Sequence, residues 1–449
     1  MNPQIFREYD IRGVADRDLT DEAVCEIGRA YGTYLKRRKK SVVSLARDSR
    51  VSSPRIHASL SKAILSTGLN VIDIGLTTTP CLYFSIFHLE VDGGIMITGS
   101  HNPPDQNGLK LCLGTSSMFG SQIQELKQMI DRSDYEKGEG KVETKAVLPE
   151  YESYIQKKFQ FKKRLKVVVD CGNGMTGLIA PKLFKSFGHE VIGLYTDVDG
   201  RFPNHPADPS EPKNLAELVE TVKKNKADVG VAFDGDGDRV GVVDELGNII
   251  PGDHLMILYS RNILAHHRGA VIIGDVKCSN ILFQDIQKHG GRGIMWKTGH
   301  SLVKAKMKQE HALLGGEMSG HMFFADRWFG FDSGIYSAVR VFEILDRSDK
   351  SLSKLLSDIP KTHATTEIRV PCADEKKFSV VQKATDYFKG LKYHVIDIDG
   401  ARVEFSDGWG LVRASNTQPV LVMRFEAKSE KRMNEIKNLI ESKVKELSG

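Results

Sequence analysis

Three aspartates stand at alternate positions in Asp234-Gly235-Asp236-Gly237-Asp238, with Arg239 directly after them. Carboxylates at every second residue, joined by glycines that let the backbone curl, form a compact oxygen cage for a hard cation. Holding three like charges together without compensation is costly, so a metal is the natural partner. Two other readings compete: a plain acidic turn, and a calcium-binding EF-hand loop with Glu245 at its twelfth position. The EF-hand reading is weakened by Arg239 at the sixth position, where that loop requires glycine, and by a strand-like run ahead of it.

A second loop, Thr98-Gly99-Ser100-His101-Asn102-Pro103-Pro104, places a serine among glycine, histidine and two prolines that fix its shape. A serine there suits a nucleophile activated by a metal or a neighbouring base, although on its own such a serine is more often a turn former. Lys110, a little further on, offers a point charge for phosphate. In Arg413-Ala414-Ser415-Asn416-Thr417 a guanidinium, two hydroxyls and an amide make an anion clamp with no acid in it; a solvated turn is the alternative. Glu317 and Ser319 in Glu317-Met318-Ser319-Gly320-His321 supply acceptors and donors suited to sugar hydroxyls.

One motif points elsewhere. Gly172-Asn173-Gly174-Met175-Thr176-Gly177 is a GxGxxG after a strand, with Asp197 downstream, as in dinucleotide-binding folds. Yet Asp170 ends the strand where a pyrophosphate would approach, and no other residue reads as hydride chemistry, so a tight structural turn is favoured. No GxxxxGK[ST] loop is present.

The elements that position these loops repeat along the chain. Three apolar strands, Val42–Asp48, Val167–Asp170 and Val271–Asp275, each end in Asp and lead into helical patterns. Downstream of each, a second strand runs into a chemical loop: Gly94–Ile97 into the serine loop, Val229–Phe233 into the aspartate loop, and Ala312–Leu314 into Gly315-Gly316-Glu317. Short apolar strands alternating with helices predict buried parallel strands in α/β units, and ligand sites in such sheets lie beyond the strands' carboxyl ends. The tail reads as a smaller α+β unit: strand Thr365–Val370, a helix near Glu375–Phe388, strands near Tyr393–Ile398 and Arg402–Ser406, a polar turn opened by Arg413, strand Val420–Phe425 and a closing amphipathic helix. The predicted fold is three similar mixed α/β domains in series plus a smaller C-terminal α+β domain, divided as 1–145, 146–248, 249–362 and 363–449.

Bulk composition narrows the function classes. With 63 Lys+Arg against 58 Asp+Glu, the net charge of +5 over 449 residues makes no case for nucleic acid. The densest basic run, Lys36-Arg37-Arg38-Lys39-Lys40, reads as a solvated helix end, with a substrate-greeting patch as the alternative. The six cysteines include no CxxC pair, which argues against zinc knuckles and a disulfide framework. The charged N-terminus is no signal peptide, and no apolar run reaches the ~18 residues of a membrane span. A reduced, cytoplasmic location is expected.

In this order, the loops from Tyr9-Asp10-Ile11-Arg12-Gly13 to Arg413-Ala414-Ser415-Asn416-Thr417 resemble the α-D-phosphohexomutase family, and within it the bacterial phosphomannomutase/phosphoglucomutase branch, over nearly the whole chain. The resemblance implies four domains around a central cleft, and Mg²⁺ held by Asp234, Asp236, Asp238 and the phosphate of phospho-Ser100. It implies sugar contacts from Glu317 and Ser319, and a distal phosphate site of Arg413, Ser415, Asn416 and Thr417. Tyr9, Arg12, Lys110, Arg239, Lys277 and His300 match further active-site positions, with His101 beside the phosphoserine; Arg12, Lys110 and His300 match proton-transfer or phosphate-orienting groups.

The implied activity is interconversion of hexose 1-phosphate and hexose 6-phosphate, for mannose and/or glucose, through hexose 1,6-bisphosphate, which also serves as activator. Met318 and Gly99 fit the mannose/glucose group, whereas phosphoglucosamine mutases usually carry Gln and Ala at these places. Gln418 is a departure, where the group commonly has a second Thr. Phosphoglucosamine mutase and a noncatalytic metal- and sugar-phosphate-binding protein are the alternatives. The expected partners are small hexose phosphates, with neither nucleic acid nor membrane, and a monomer or weak oligomer is expected.

Overall fold

The computed structural model describes residues 1–448. The chain forms four sheets in series. In the first, the order is Ile11–Val14, Gln106–Leu113, Gly93–Ile97, Val42–Arg47, Asn70–Leu76 and Val142–Thr144, with Ser116–Ser117 pairing Gln106–Leu113. In the second it is Ile249–Ile250, Val240–Asp244, Val229–Phe233, Lys166–Asp170 and Glu190–Leu194; in the third, Arg292–Trp296, Val271–Asp275, Leu314–Gly316 and Met322–Phe324. Each of these three is mixed, and one reason places the chemistry. A central strand lies parallel to its predecessor, then turns through a loop into an antiparallel partner: Gly93–Ile97 into Gln106–Leu113, Val229–Phe233 into Val240–Asp244, and Leu314–Gly316 into Met322–Phe324. The three chemical loops are therefore equivalent hairpin tips at the carboxyl ends of buried strands.

Gly93–Ile97 and Val229–Phe233 are buried at every residue, which explains their unbroken apolar runs. The third central strand begins two residues later than expected: Ala312 and Leu313 precede it, and Gly315 and Gly316 belong to it rather than to the loop. The fourth sheet is antiparallel, with Val420–Ala427 paired to Gly408–Ala414, then Ala401–Phe405 and His394–Ile396. Strand Gly408–Ala414 was not expected. Arg413 lies in it instead of opening a turn, because Trp409, Leu411 and Val412 are buried and demand a core-facing strand.

Loops from different units bind one another. Thr79, at the start of helix Thr79–His88, donates its N–H to the carbonyl of Asp236 at 2.9 Å and its hydroxyl to that carboxylate at 2.5 Å. Val240 N–H donates to the carbonyl of Gly320 at 3.1 Å, so the aspartate hairpin and the third loop share a bridge. The basic run is a surface helix end whose arginines pair with Asp134, Glu136 and Glu125, and it lines no part of the central cleft. All six cysteines are free thiols. Among the described residues no helix is long and apolar enough to cross a membrane.

Candidate active site

Ser100 sits at the first hairpin tip with φ +50°, a left-handed conformation that costs a non-glycine residue about 1–3 kcal/mol. Arg50, wholly buried, holds it there. Its guanidinium donates to the carbonyls of Ser100 at 2.9 Å, Asn102 at 2.6 Å, Pro103 at 2.5 Å and Gln106 at 2.9 Å. A Cβ on Gly99 would stand 2.4 Å from Arg50 Cζ, so Gly99, read above as a mark of substrate group, has a local packing cause. In this pose Ser100 Oγ donates to Asp234 Oδ2 at 2.8 Å and lies 3.2 Å from His101 Nδ1.

Asp234, Asp236 and Asp238 are fully buried, and one oxygen from each lies within 4.8 Å of the others. Lys110 Nζ stands between two of them, 2.6 Å from Asp236 Oδ2 and 2.5 Å from Asp238 Oδ2. Burial, then the charges of Asp238 and Asp236, push the Asp234 carboxyl far up. Burial would raise Asp236 also, but the Lys110 ammonium overrides it and drives that carboxyl down. The second oxygens of Asp236 and Asp238 are buried without any hydrogen-bond partner. Three carboxylates against the Lys110 ammonium and the Arg239 guanidinium, the latter 3.9 Å from Asp234, still leave net negative charge and orphaned oxygens, a donor set that fits a hard divalent cation. The EF-hand reading falls: Arg239 leads directly into strand Val240–Asp244, and Glu245 accepts from Ser353 N–H at 3.2 Å, away from the cage.

The GxGxxG loop supports this cage. A Cβ on Gly174 would stand 2.9 Å from the carbonyl oxygen of Gly235, and one on Gly177 would stand 2.1 Å from that of Thr196. Met175 N–H donates to the Gly235 carbonyl at 2.9 Å. Its glycines thus admit protein backbone, leaving no berth for a pyrophosphate.

Above Ser100 opens a polar cleft of about 360 Å³ whose walls include Tyr9, Arg12, His101, Arg239, Lys277, His300, Glu317, Ser319, Arg413, Ser415, Asn416 and Thr417. Every sequence-nominated residue outside the Ser100–Lys110–aspartate floor is thereby gathered on one surface. Arg12 Nε donates to Asp10 Oδ2 at 2.5 Å and its Nη1 to Asn102 Oδ1 at 3.3 Å, fixing its fork beside the serine loop. His101 is held well below the ordinary histidine range by burial and the Arg239 charge. His300 begins helix His300–Glu310; burial, then the Lys304 charge, keep it neutral, and its Nε2 has no partner.

On the far wall Arg413 Nε donates to Asp399 Oδ2 at 2.9 Å, and Thr298 N–H donates to the same oxygen at 2.9 Å. Tyr9 hydroxyl donates to the Thr298 carbonyl at 2.6 Å and accepts from Asn416 Nδ2 at 2.5 Å, joining the first, third and fourth units. Lys277 pairs with Glu367 at 2.5 Å; burial lowers its ammonium, but Glu367 and Asp275 prevail and raise it to about 12. Glu317 accepts from Gly299 N–H at 2.6 Å and from Ser319 Oγ at 3.3 Å, and burial raises its carboxyl. Gln418, the departure noted in this loop, lines the cleft with Arg369: its Oε1 accepts from Arg369 at 3.2 Å and its N–H donates to Ser415 Oγ at 3.1 Å.

Several contributors have no assigned role in the sequence reading. His321 Nε2 accepts from Arg239 Nε at 2.8 Å, which places its proton on Nδ1, 3.0 Å from Asp332 Oδ2. His321 thus accepts from Arg239 and stands close to Asp332 without an aligned hydrogen bond to it, and Asp238, His321 and Asp332 also cluster as possible ligands. His321 was visible as the last residue of the Glu317–His321 motif. Arg50, Asp332 and Asp399 carry no local signal, since their partners are remote in sequence.

Comparison with known proteins agrees with this geometry. Residues 3–137, 149–247 and 251–363 match the phosphoglucomutase/phosphomannomutase alpha/beta/alpha domains I, II and III, and 367–443 match the C-terminal domain of the same family. A phosphomannomutase/phosphoglucomutase of Pseudomonas aeruginosa PAO1 is 46% identical over 441 residues, covering 98% of this chain and 95% of that protein. A phosphoglucomutase of Neisseria meningitidis serogroup A is 43% identical, covering 98% and 97%. The crystal structure of a phosphoglucomutase/phosphomannomutase family protein from Burkholderia thailandensis superposes with a TM-score of 0.91 at 41% identity, covering 99% and 97%. Fold and site define an α-D-phosphohexomutase. The chain belongs to the phosphoglucomutase/phosphomannomutase family.

Proposed function

We propose that the four units 1–145, 146–248, 249–362 and 363–449 enclose an active site that interconverts the 1- and 6-phosphates of glucose and mannose through phospho-Ser100. The chain is an isomerase of the hexose-phosphate mutase kind, as its relatives of 46% and 43% identity are named. The observation that carries the serine's role is the 2.8 Å contact of its Oγ with Asp234, inside a three-carboxylate cage and below a cleft with cations on two walls. Asp234, Asp236, Asp238 and the Ser100 phosphate would hold Mg²⁺, which supplies neutralising positive charge to the phosphoryl group.

Phospho-Ser100 transfers its phosphoryl group to the free hydroxyl of a bound hexose phosphate, giving hexose 1,6-bisphosphate and free Ser100. The bisphosphate turns end for end, and its other phosphate returns to Ser100. Added bisphosphate acts as activator by loading the serine in the same way. Lys110, Arg12 and Arg239 orient and neutralise the transferring group, where positioning and electrostatics supply most of the catalysis. His101, 3.2 Å from Ser100 Oγ, and His300, whose Nε2 is unpartnered, are placed to hydrogen-bond the reacting oxygens. Glu317 and Ser319 hold sugar hydroxyls in either orientation, with Tyr9 and Lys277 beside them. Arg413, Ser415, Asn416 and Thr417 hold whichever phosphate is not reacting.

Comparative mutase assays of glucose 1-phosphate, mannose 1-phosphate and glucosamine 1-phosphate, with trace bisphosphate, test the substrate assignment. Glucose and mannose phosphates are expected to be good substrates and the amino sugar a poor one; the highest kcat/KM for the amino sugar would overturn the assignment.

The clamp has its own test. A charge-assisted hydrogen bond is worth about 1.5–3 kcal/mol, so Arg413→Ala is expected to lower kcat/KM by roughly 10- to 150-fold in both directions. The variant also leaves Asp399 facing the phosphate, which places the expectation toward the larger figure. Single-turnover transfer from phospho-Ser100 to sugars lacking a phosphate should change far less. Equal losses for both acceptors would mean that Arg413 serves the fold or the chemical step.

A further inference from the structure

Beside the Arg413 clamp stands a second arginine. Arg369 lies on strand Ile368–Pro371, which pairs antiparallel with Val420–Ala427. In that register Arg369 is opposite Val422, and Arg413 is opposite the same valine from the other side. Residues directly opposite one another on adjacent strands share a face of the sheet. Arg369, Val422 and Arg413 therefore form one rung, and all three line the cleft. Two strand spacings put the arginine Cα atoms about 10 Å apart, so their long side chains can converge on one group between them.

The cations of this wall are unequally compensated. Arg413 donates to Asp399 at 2.9 Å, and Lys277 donates to Glu367 at 2.5 Å. Arg369 has no carboxylate so close: Glu367 Oε2 is 3.6 Å from its Nη2, beyond hydrogen-bond distance. Among the described residues the one hydrogen bond of its guanidinium goes to the neutral amide oxygen of Gln418, 3.2 Å from Nη1. Gln418 is itself fixed through its backbone, with its N–H on Ser415 Oγ and its carbonyl accepting from Lys377 Nζ, each at 3.1 Å. An amide acceptor aims a guanidinium without cancelling its charge and leaves its other N–H donors available. The Arg369 side chain is 44% exposed, open to an anion in the cleft.

We propose that Arg369, aimed by Gln418, is a second guanidinium for the phosphate held by Arg413, an inference that rests on the reading of Arg413, Ser415, Asn416 and Thr417 as a phosphate site. A phosphate presents several anionic oxygens, and Arg413 approaches it from one strand only. The forked donors of Arg369 suit the opposite side. The departure at Gln418 then has a physical cause: its long side chain reaches a guanidinium on the neighbouring strand, which a threonine side chain is too short to do. Because the contact is to phosphate alone, it raises affinity for glucose and mannose phosphates alike and helps to retain the bisphosphate while it turns.

The experiment titrates the full chain, carrying Ser100→Ala so that no phosphoryl group moves, with glucose 1-phosphate by calorimetry. Steady-state kinetics follow the same variants with Ser100 intact. Arg369→Ala is expected to weaken binding about 10-fold, the low end for a charge-assisted contact because the side chain is partly exposed, and to lower kcat/KM as much through KM. Single-turnover transfer from phospho-Ser100 to sugars lacking a phosphate should not change. Gln418→Ala keeps both backbone contacts of that residue and should cost about 3-fold, with no further loss when combined with Arg369→Ala. Binding within about twofold of the parent in Arg369→Ala, beside a weakened Arg413→Ala, would overturn the proposal and leave the clamp standing. If neither variant weakens binding, the clamp reading fails and the proposal with it. Equal losses for phosphorylated and unphosphorylated acceptors, or a Gln418→Ala loss that persists undiminished beside Arg369→Ala, would overturn it as well.

Discussion

Ser100→Ala is expected to lower mutase kcat by at least about 10³-fold, because it removes the atom that carries the phosphoryl group between the two halves of the reaction. The substitution deletes a single oxygen, and the loop's backbone carbonyls are held by the Arg50 guanidinium, so the pose of the tip should survive. Folding should therefore be unaffected and only chemistry lost. Intact-mass analysis provides a second readout: wild-type protein incubated with glucose 1,6-bisphosphate should carry one phosphate adduct, and the variant none. Near-normal steady-state turnover in the variant would sink the phosphoserine mechanism. A variant that retained the adduct would relocate the carrier to another residue.

Removing divalent metal is expected to abolish activity, with Mg²⁺ restoring it, since the cage offers oxygen donors alone. The structure sharpens the accompanying substitution. Asp236 not only contributes an oxygen to the cage; it also binds Lys110 at 2.6 Å and Thr79 at 2.5 Å. Asp236→Asn keeps the shape but takes away one negative charge, so metal affinity and the placement of Lys110 should both suffer. A loss of at least about 10²-fold in kcat/KM is expected, as for removal of one preorganised electrostatic contact at a reacting centre. Mn²⁺ binding followed by electron paramagnetic resonance separates the causes, for it reports the cage without requiring turnover. Full activity in excess chelator, after stripping of bound metal, would refute the metal's role; unchanged Mn²⁺ affinity in Asp236→Asn would remove that residue from the ligand set.

Much of this molecule was legible in its residues. The aspartate, serine, Glu317 and Arg413 loops stood out because each needs particular side chains at short spacing, and the order of strands and helices around them repeats. Unbroken apolar runs such as Val229–Phe233 marked buried parallel strands, since a strand covered on both faces has no solvent side to alternate toward. Strand Gly408–Ala414 escaped notice because glycines and Arg413 interrupt its pattern, and its cover comes from helix Glu430–Ser448 far along the chain.

What only tertiary structure decided is how distant groups act on one another. Ser100 meets Asp234 across 134 positions, and Tyr9 meets Asn416 across 407. Arg50 sets the left-handed pose of Ser100; Asp399 aims Arg413; the Arg239 hydrogen bond selects the tautomer of His321. The GxGxxG loop shows the limit most clearly, for its local pattern fits a dinucleotide and only the backbone of Gly235 and Thr196 pressed against it reveals otherwise. Side-chain types and local spacing are written in the chain because they follow from covalent neighbours and from backbone periodicity. Burial, electrostatic pairing and close approach are not, because they depend on surfaces that exist only once the four units have packed together.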